Sequence, residues 1–515
     1  MAADAAQVSV RSFVTNWTLR PRCVSRAQLC GSAHFPAFHW YGLFGVKRVS
    51  HRSSIGLWPC FDCVPKETRR SLTSFARIML TFVATALVAS VVAQPDTGTR
   101  ALALDSSLAV ATFDSAWRMV GASLEGRGVT GLDWNAVRHE LRPRAARAAS
   151  DSALRSVIAD MLGRLSESHF AILPPVPAPT TSAANRISTL GTAGMTVRVV
   201  DGRMMVWRVD ATGPAARAGV VPGWTVDRID GMSLPTLGAA DSIGPRRLAA
   251  VGGATSALRG APGSDVHLVA RDLQGNTRDL TFARDSVRGP TFRFGNLPPL
   301  PTSVDVARRT LPDGRCVGIV RFEYWMPPAM GPLDRAIDSL RTCAGIVMDL
   351  RGNLGGVAAM MMGVSGHFLT EARTLGTMRS RGDTMRFVAN PRRATDAGMP
   401  VEPYAGSLAI VVDGLSASTS EMFAGALQSI GRARVFGERT PGQALPALAT
   451  KLPTGDVLMH VVADFVMPDG SRLEGKGVVP DELHPLARPD VIAGRDAALE
   501  AALRWVAGPT RASNR

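Results

Sequence analysis

The stretch Leu408-Ala409-Ile410-Val411-Val412-Asp413-Gly414-Leu415-Ser416-Ala417-Ser418-Thr419-Ser420-Glu421-Met422-Phe423-Ala424-Gly425-Ala426-Leu427-Gln428 changes character twice. Apolar and β-branched residues run to Val412 and stop at Asp413-Gly414. Small hydroxyl residues follow, and then an alanine-rich helical pattern. The order predicts a strand, a tight turn and a helix start, with a serine at the bend. Such a turn exposes a hydroxyl and presents backbone N–H groups at a helix N-terminus, where developing negative charge is stabilised. A nucleophilic serine and an oxyanion site need both. N-capping also selects Ser and Thr at helix starts, so the catalytic reading requires a base and a second oxyanion donor elsewhere.

A second stretch supplies the donor. From about Pro301 onward strands and helices alternate, which argues an α/β layer structure. Gly318 to Phe322 reads as a strand, Leu333 to Leu340 as a helix, and Gly345 to Leu350 as a buried-type strand. That strand runs into Asp349-Leu350-Arg351-Gly352-Asn353-Leu354-Gly355-Gly356. Glycines directly after a buried strand let the backbone approach a substrate and turn an N–H toward it.

Together, Asp349 to Gly356 and Ser416-Ala417-Ser418-Thr419-Ser420-Glu421 resemble the paired signature of the C-terminal-processing and tricorn-like serine peptidases. The resemblance covers roughly residues 105 to 510 and implies an α/β, ClpP/crotonase-like core over 300–510. By it Ser418 is the nucleophile, and Ser416 and Ser420 are turn and cap residues. The oxyanion donors are the N–H of Thr419 and one from Gly355 or Gly356.

The family divides by its base. One branch places a lysine 25 residues after the nucleophile; here that position is Gln443, whose amide is far too weakly basic to take the serine proton. Lys47, Lys66, Lys451 and Lys476 are the only lysines in the chain, and Lys451 reads as a solvated strand-end residue. The tricorn-like branch takes a histidine from an N-terminal helical region, and Leu165-Ser166-Glu167-Ser168-His169 is similar to its motif. The resemblance makes His169 the general base, oriented by Ser168, with Glu474 of Leu473-Glu474-Gly475-Lys476-Gly477 polarising Ser168. A histidine titrates near working pH. Without the resemblance, His169 reads as an ordinary histidine at the end of a helix.

Residues 100–185 are read as an N-terminal helical domain. Phe113, Trp117, Val120 and Leu124 recur at helical spacing, and Leu154, Val157, Ile158, Met161, Leu162 and Leu165 form a cleaner apolar stripe. Residues 186–290 switch to short alternating strands. Within them Gly213-Pro214-Ala215-Ala216-Arg217-Ala218-Gly219 through Asp230-Gly231 resembles the PDZ domains attached to proteases. That implies a domain able to hold a peptide C-terminus on a sheet edge, with Thr192-Ala193-Gly194-Met195 as the carboxylate loop. A β-rich spacer that binds nothing is the alternative.

Of the net charge of +15, more than half lies within residues 1–78, where eleven Lys/Arg face three Asp/Glu. The rest carries no basic run with interleaved aromatics, which argues against nucleic acid as partner. Residues 1–78 are expected to be a leader or a mis-assigned start. Residues 79–93 read as a signal peptide cleaved after Ala93, and so as export to the periplasm or beyond, with membrane contact only through an uncleaved segment. Cys316 and Cys343 could pair in such a compartment or stay as buried thiols. No metal or cofactor is expected, because no His/Glu/Asp spacing suggests a ligand set. The expected function is a secreted serine endopeptidase cutting polypeptides or oligopeptides near their C-termini, with an oligomer possible. The alternatives are a non-proteolytic ligand- or peptide-binding protein on the same fold, and crotonase-like acyl chemistry.

Overall fold

A computed structural model describes residues 104–508, apart from 128, 130, 176–189, 239, 240, 242, 243, 288, 293–299 and 381. The expected leader over 1–78 and signal segment over 79–93 lie outside the described residues.

Three helices come first: α1 (Ser106–Arg127), α2 (Trp134–Ala146) and α3 (Asp151–Leu162). Asp133 caps α2 by accepting the Ala136 N–H at 2.9 Å, and Ser150 caps α3 through the Ala153 N–H. The apolar stripe of α3 packs Leu154, Ile158 and Met161, all fully buried, against Phe113, Val120 and Leu141. Each such side chain contributes roughly 1.5–3 kcal/mol. Leu452 and Leu458 from far along the chain share this core, so the helices sit on the later strands. The strand β1 (Ala171–Leu173) follows.

A β-rich segment comes next: β2 (Met195–Val200), β3 (Arg203–Val209), β4 (Thr225–Ile229), helix α4 (Pro245–Leu258), β5 (Asp265–Arg271) and β6 (Thr277–Ala283). The strands pair antiparallel in that order, which leaves β2 at an edge with α4 beside it.

The last part begins with β7 (Val304–Thr310), β8 (Cys316–Phe322), helix α5 (Met330–Ser339) and β9 (Gly345–Asp349). It continues with β10 (Ser407–Val412), helix α6 (Thr419–Ser429), β11 (Arg434–Gly437), β12 (Ala447–Lys451), β13 (Val457–Val461), β14 (Glu482–Leu483) and helix α7 (Ala497–Ala507). A six-stranded sheet runs β7-β8-β9-β10-β11-β14, parallel throughout except for the antiparallel edge strand β7. In β10 Leu408, Ile410 and Val412 face α5 and α6, whereas Ala409 and Val411 face α7. Both faces are covered, which is why the strand reads as a continuous apolar run. Cys316 and Cys343 form a disulfide where β8 begins and just ahead of β9, so the pairing left open by the sequence is made.

Two placements differ from expectation. The helix α3 ends at Leu162, and His169 stands seven residues beyond it at φ 64, in the turn that enters β1. β1 still packs Ile172 on the helical core but pairs elsewhere: Ala171 pairs with Met459 on β13, which also pairs with β12. A three-residue strand whose partner lies nearly 300 residues away leaves no local signal.

Candidate active site

The motifs converge past the C-terminal ends of β9 and β10. Asp349 and Arg351 form a buried ion pair at 2.8 Å, and Arg351 continues to Asp496 at 2.7 Å. Asn353 donates to the Phe322 carbonyl at 3.0 Å and accepts the Gly355 N–H at 3.0 Å. Its own carbonyl accepts from Ala417 N–H at 3.1 Å, which ties this loop to the serine turn. In that turn Ser416 Oγ donates to the Leu350 carbonyl at 2.8 Å, and Ser420 Oγ accepts from the Trp325 indole at 2.9 Å. Ser416 and Ser420 therefore brace the turn.

Ser418 stands at the bend with φ 57, a left-handed backbone that a non-glycine residue adopts only under constraint. It begins α6 and lines a pocket of about 290 Å³, counting its mouth, with Gly356, Thr419, Met422 and Ala447. Gly355 (φ 97) lies directly beneath it. Of the two glycines between which the sequence left the second donor open, Gly355 has its N–H committed to Asn353, while Gly356 does not. The N–H groups of Gly356 and Thr419 take no partner in the backbone hydrogen bonding of the described residues. Both flank Ser418, as donors to a developing oxyanion must.

Ser168, His169 and Glu474 meet although 305 residues separate the last two. Ser168 gives its N–H to Glu474 Oε1 at 2.8 Å and its hydroxyl to Oε2 at 3.0 Å, while its Oγ stands 2.5 Å from His169 Nδ1. A serine hydroxyl has one proton. With that proton on Glu474, Oγ can only accept from Nδ1–H, which leaves the lone pair on Nε2. The arrangement thus selects the tautomer a general base needs. Burial raises the Glu474 carboxyl above its ordinary value against the hydrogen bonds from Ser168 and Ala444. The turn carrying Ser168 is pinned by Arg127, which grips Glu167 with two bonds of 2.8 and 2.7 Å.

One segment joins this relay to Ser418. Ala444 N–H donates to Glu474 Oε2 at 3.0 Å, and the carbonyl of the preceding Gln443 accepts the Ser418 N–H at 2.8 Å. Ala171, two residues after His169, packs with Ala447 and Met459, and Ala447 lines the Ser418 pocket. The residue that the sequence did not single out is Glu421. It is fully buried one turn into α6 and accepts from Ser418 N–H, Thr440 Oγ1, Gly442 N–H and Gln443 N–H. Burial pushes its carboxyl up to about 7 against those four bonds. Only its place three residues after the serine could have marked it.

The expected carboxylate loop is occupied from within. Ala193 N–H donates to the Leu258 carbonyl and Gly194 N–H to Thr192 Oγ1, which leaves Met195. Along the edge of β2, Arg198 caps the Val197 carbonyl and Arg247 the Val199 carbonyl. The same arginines reach the last part of the chain, Arg198 to Asp413 at 2.8 Å and Arg247 to Glu438 at 2.8 Å. Burial raises the Asp413 carboxyl, but Arg198 and the Gly352 N–H outweigh it and hold it below the usual range. Leu415, on the serine turn, is buried among the apolar residues of the β-rich segment. Lys451, at the end of β12, is exposed.

Residues 316–483 match the model described as peptidase family S41, and residues 111–163 match the tricorn protease C1 domain. The carboxyl-terminal-processing protease of Synechocystis sp. is 25% identical over 402 residues, covering 76% of this chain and 85% of that protein. The chloroplastic carboxyl-terminal-processing peptidase 2 of Arabidopsis thaliana is 29% identical over 278 residues, 54% of this chain and 48% of the relative. Among solved structures, the photosystem II D1 C-terminal processing protease superposes with a TM-score of 0.50 at 22% identity, over 78% of this chain and 97% of the other. Mature CPAF gives 0.52 at 14%, over 75% and 94%. These two likenesses are of fold.

Proposed function

Because the chain belongs to the tricorn-like and C-terminal-processing serine peptidases, we propose that Ser418 is its nucleophile and His169 its general base, with Ser168 and Glu474 completing a Ser-His-Ser-Glu arrangement. The observation that carries the reading is the Glu474–Ser168–His169 relay, whose proton positions leave the lone pair on Nε2. In the first half-reaction Nε2 takes the Ser418 proton as Oγ attacks the peptide carbonyl. The charge that forms on the carbonyl oxygen faces the N–H groups of Gly356 and Thr419. The imidazolium keeps its Nδ1–H on Ser168, behind which Glu474 balances the charge, and gives its Nε2 proton to the leaving amine. In the second half-reaction a water attacks the acyl-serine, Nε2 takes one of its protons, and that proton returns to Ser418 as the new carboxylic acid leaves and ionises in solvent.

The substrates are polypeptides or oligopeptides cut near their C-termini. The Cys316–Cys343 disulfide favours an oxidising compartment, in support of a secreted or periplasmic enzyme. The three helices act as an N-terminal helical domain that delivers the base, and the β-rich segment as a PDZ-like domain seated on the serine turn.

A labelled fluorophosphonate should modify wild type but not Ser418→Ala, and peptide cleavage should vanish in Ser418→Ala and His169→Ala. Cleavage that survives in Ser418→Ala would overturn the proposal and favour a binding protein on the same fold.

A further inference from the structure

Three consecutive backbone N–H groups, those of Gly442, Gln443 and Ala444, donate to two buried carboxylates. The first two go to Glu421 at 2.7 and 2.8 Å, the third to Glu474 at 3.0 Å. Glu474 holds the base relay through Ser168. Glu421 holds the nucleophile, because its Oε2 takes the Ser418 N–H at 3.1 Å, a proton shared with the Gln443 carbonyl at 2.8 Å. The segment is therefore a strap between the two halves of the site, anchored by a carboxylate at each end. At Ser418 it restrains a residue whose left-handed backbone needs restraint.

We infer that Glu421, in its ionised form, is a positioning residue that holds Ser418 and the Gly442–Ala444 strap as one unit, so that nucleophile and base keep a common register. The inference rests on the assignment of Ser418 and His169 above. Its chemistry follows from the neighbours. The groups facing Glu421 are Ser418 N–H from the cap of its own helix, Thr440 Oγ1 just ahead of the strap, and Gly442 N–H and Gln443 N–H from the strap. All four donate and none titrates at neutral pH; the titratable group tied to the same strap is Glu474, at its far end. A neutral carboxylic acid would keep the Thr440 contact only by donating to Thr440 Oγ1, which already accepts the Val478 N–H, and its hydroxyl oxygen would accept the Gly442 N–H less strongly than a carboxylate does.

Burial pushes the Glu421 carboxyl up to about 7, so the ionised, bond-accepting form prevails only above that pH. Activity should then rise through about 7. Stability should move the other way, because a folded-state value above the unfolded one of 4.5 favours the protonated protein, and this contribution is lost as pH climbs from 4.5 to 7.

The experiment compares pH profiles of kcat and KM, and of melting temperature, for the whole chain and for Glu421→Gln and Thr440→Val. Glu421→Gln should lose about 10²-fold in kcat with little change in KM, and its melting temperature should fall less than that of the wild type between pH 4.5 and 7. The remaining fall comes from Glu474, which burial also raises. Thr440→Val keeps the carboxylate but removes a bond that lowers its value, so the rising limb of kcat should move to higher pH. Should Glu421→Gln fail to fold, that shift still decides the matter. Unchanged kcat in Glu421→Gln, or an unmoved limb in Thr440→Val, overturns the role of Glu421. Failure of the underlying assignment looks different: Ser418→Ala or His169→Ala would keep turnover, and both ideas would fall.

Discussion

Gly355 lies so close beneath Ser418 that a methyl group on its α-carbon would stand 2.7 Å from Ser418 Cβ. It would also sit 2.8 Å from the Ala417 carbonyl and 3.1 Å from the Thr419 nitrogen. Real Cβ atoms essentially never come as close as the first two distances, and the φ of 97 at Gly355 adds strain for any L side chain. The bend holding Ser418 and the loop holding Gly355 and Gly356 are thus fitted closely together.

Gly355→Ala should consequently damage chemistry before it damages the fold. Pushing Ser418 and Thr419 away displaces the hydroxyl and one oxyanion donor together, at a cost of about 10²–10³ in kcat. Steady-state kinetics alongside circular dichroism check this: native-like spectra with kcat near wild type would mean that the contact relaxes without consequence.

The choice of base is tested by two single variants. His169→Ala should remove several orders of magnitude of activity, as loss of a triad member does. Lys451→Ala should change little, because that side chain stands exposed at the end of β12. An inactive Lys451→Ala beside an active His169→Ala would exchange the two assignments.

Glu474→Gln tests the tautomer argument. A glutamine NH2 would face the Ser168 N–H at the Oε1 position and the Ala444 N–H at the Oε2 position, donor against donor. At Oε2 it would also donate to Ser168 Oγ, so that the Ser168 hydroxyl would donate to Nδ1 and the proton of the neutral ring would move to Nε2. That is the wrong form for a base, and a loss of about 10² or more in kcat is expected, with KM nearly unchanged. Activity within about twofold of wild type would show that the relay does not set the tautomer.

Much of this was legible because it is local. The change from apolar strand to hydroxyl cluster to alanine-rich helix located Ser418, and Gly355-Gly356 after a buried strand located its neighbour. The rest depends on pairings that leave no trace in spacing. His169 read as a helix-end residue because the pull of β13 on β1, which draws the chain past α3, acts across nearly 300 residues. Which glycine keeps an uncommitted N–H could not be read, since it turns on Asn353 Oδ1 taking the Gly355 N–H. Glu421 has no local mark of its partners, because the Gly442 and Gln443 N–H groups that fold onto it lie 21 and 22 residues further on. The resemblance to PDZ domains named a carboxylate loop but could not show its N–H groups spent on Leu258 and Thr192.

Peptide binding by the β-rich segment is open to direct measurement. An added strand needs donors and acceptors along the edge of β2, and its carboxylate needs loop N–H groups. Ala193 and Gly194 have given theirs away, and Arg198 and Arg247 cap the carbonyls of Val197 and Val199. Calorimetry on Ser418→Ala with short apolar C-terminal peptides should find dissociation constants no tighter than about 1 mM. Arg198→Met, which leaves Asp413 buried without its cation beside the serine turn, should lower kcat and stability together. Micromolar peptide binding would mean that the loop opens to admit a ligand.

Removal of the disulfide should cost stability without touching the chemistry. Cys316 and Cys343 are 27 residues apart, and closing a loop of that size stabilises by about 2–4 kcal/mol, chiefly by restricting the unfolded chain. The bond lies where β8 begins and before β9 starts, whereas Ser418 and Gly355 lie beyond the opposite ends of β9 and β10. The Cys316→Ser/Cys343→Ser variant should therefore unfold at lower denaturant concentration yet keep kcat and KM at temperatures where it stays folded. Reductant should reproduce the shift in wild type and do nothing to the variant. A wild-type midpoint that ignores reductant, with free thiols titrating in the native protein, would mean that the two cysteines stay reduced and would withdraw the support they lend to an oxidising compartment.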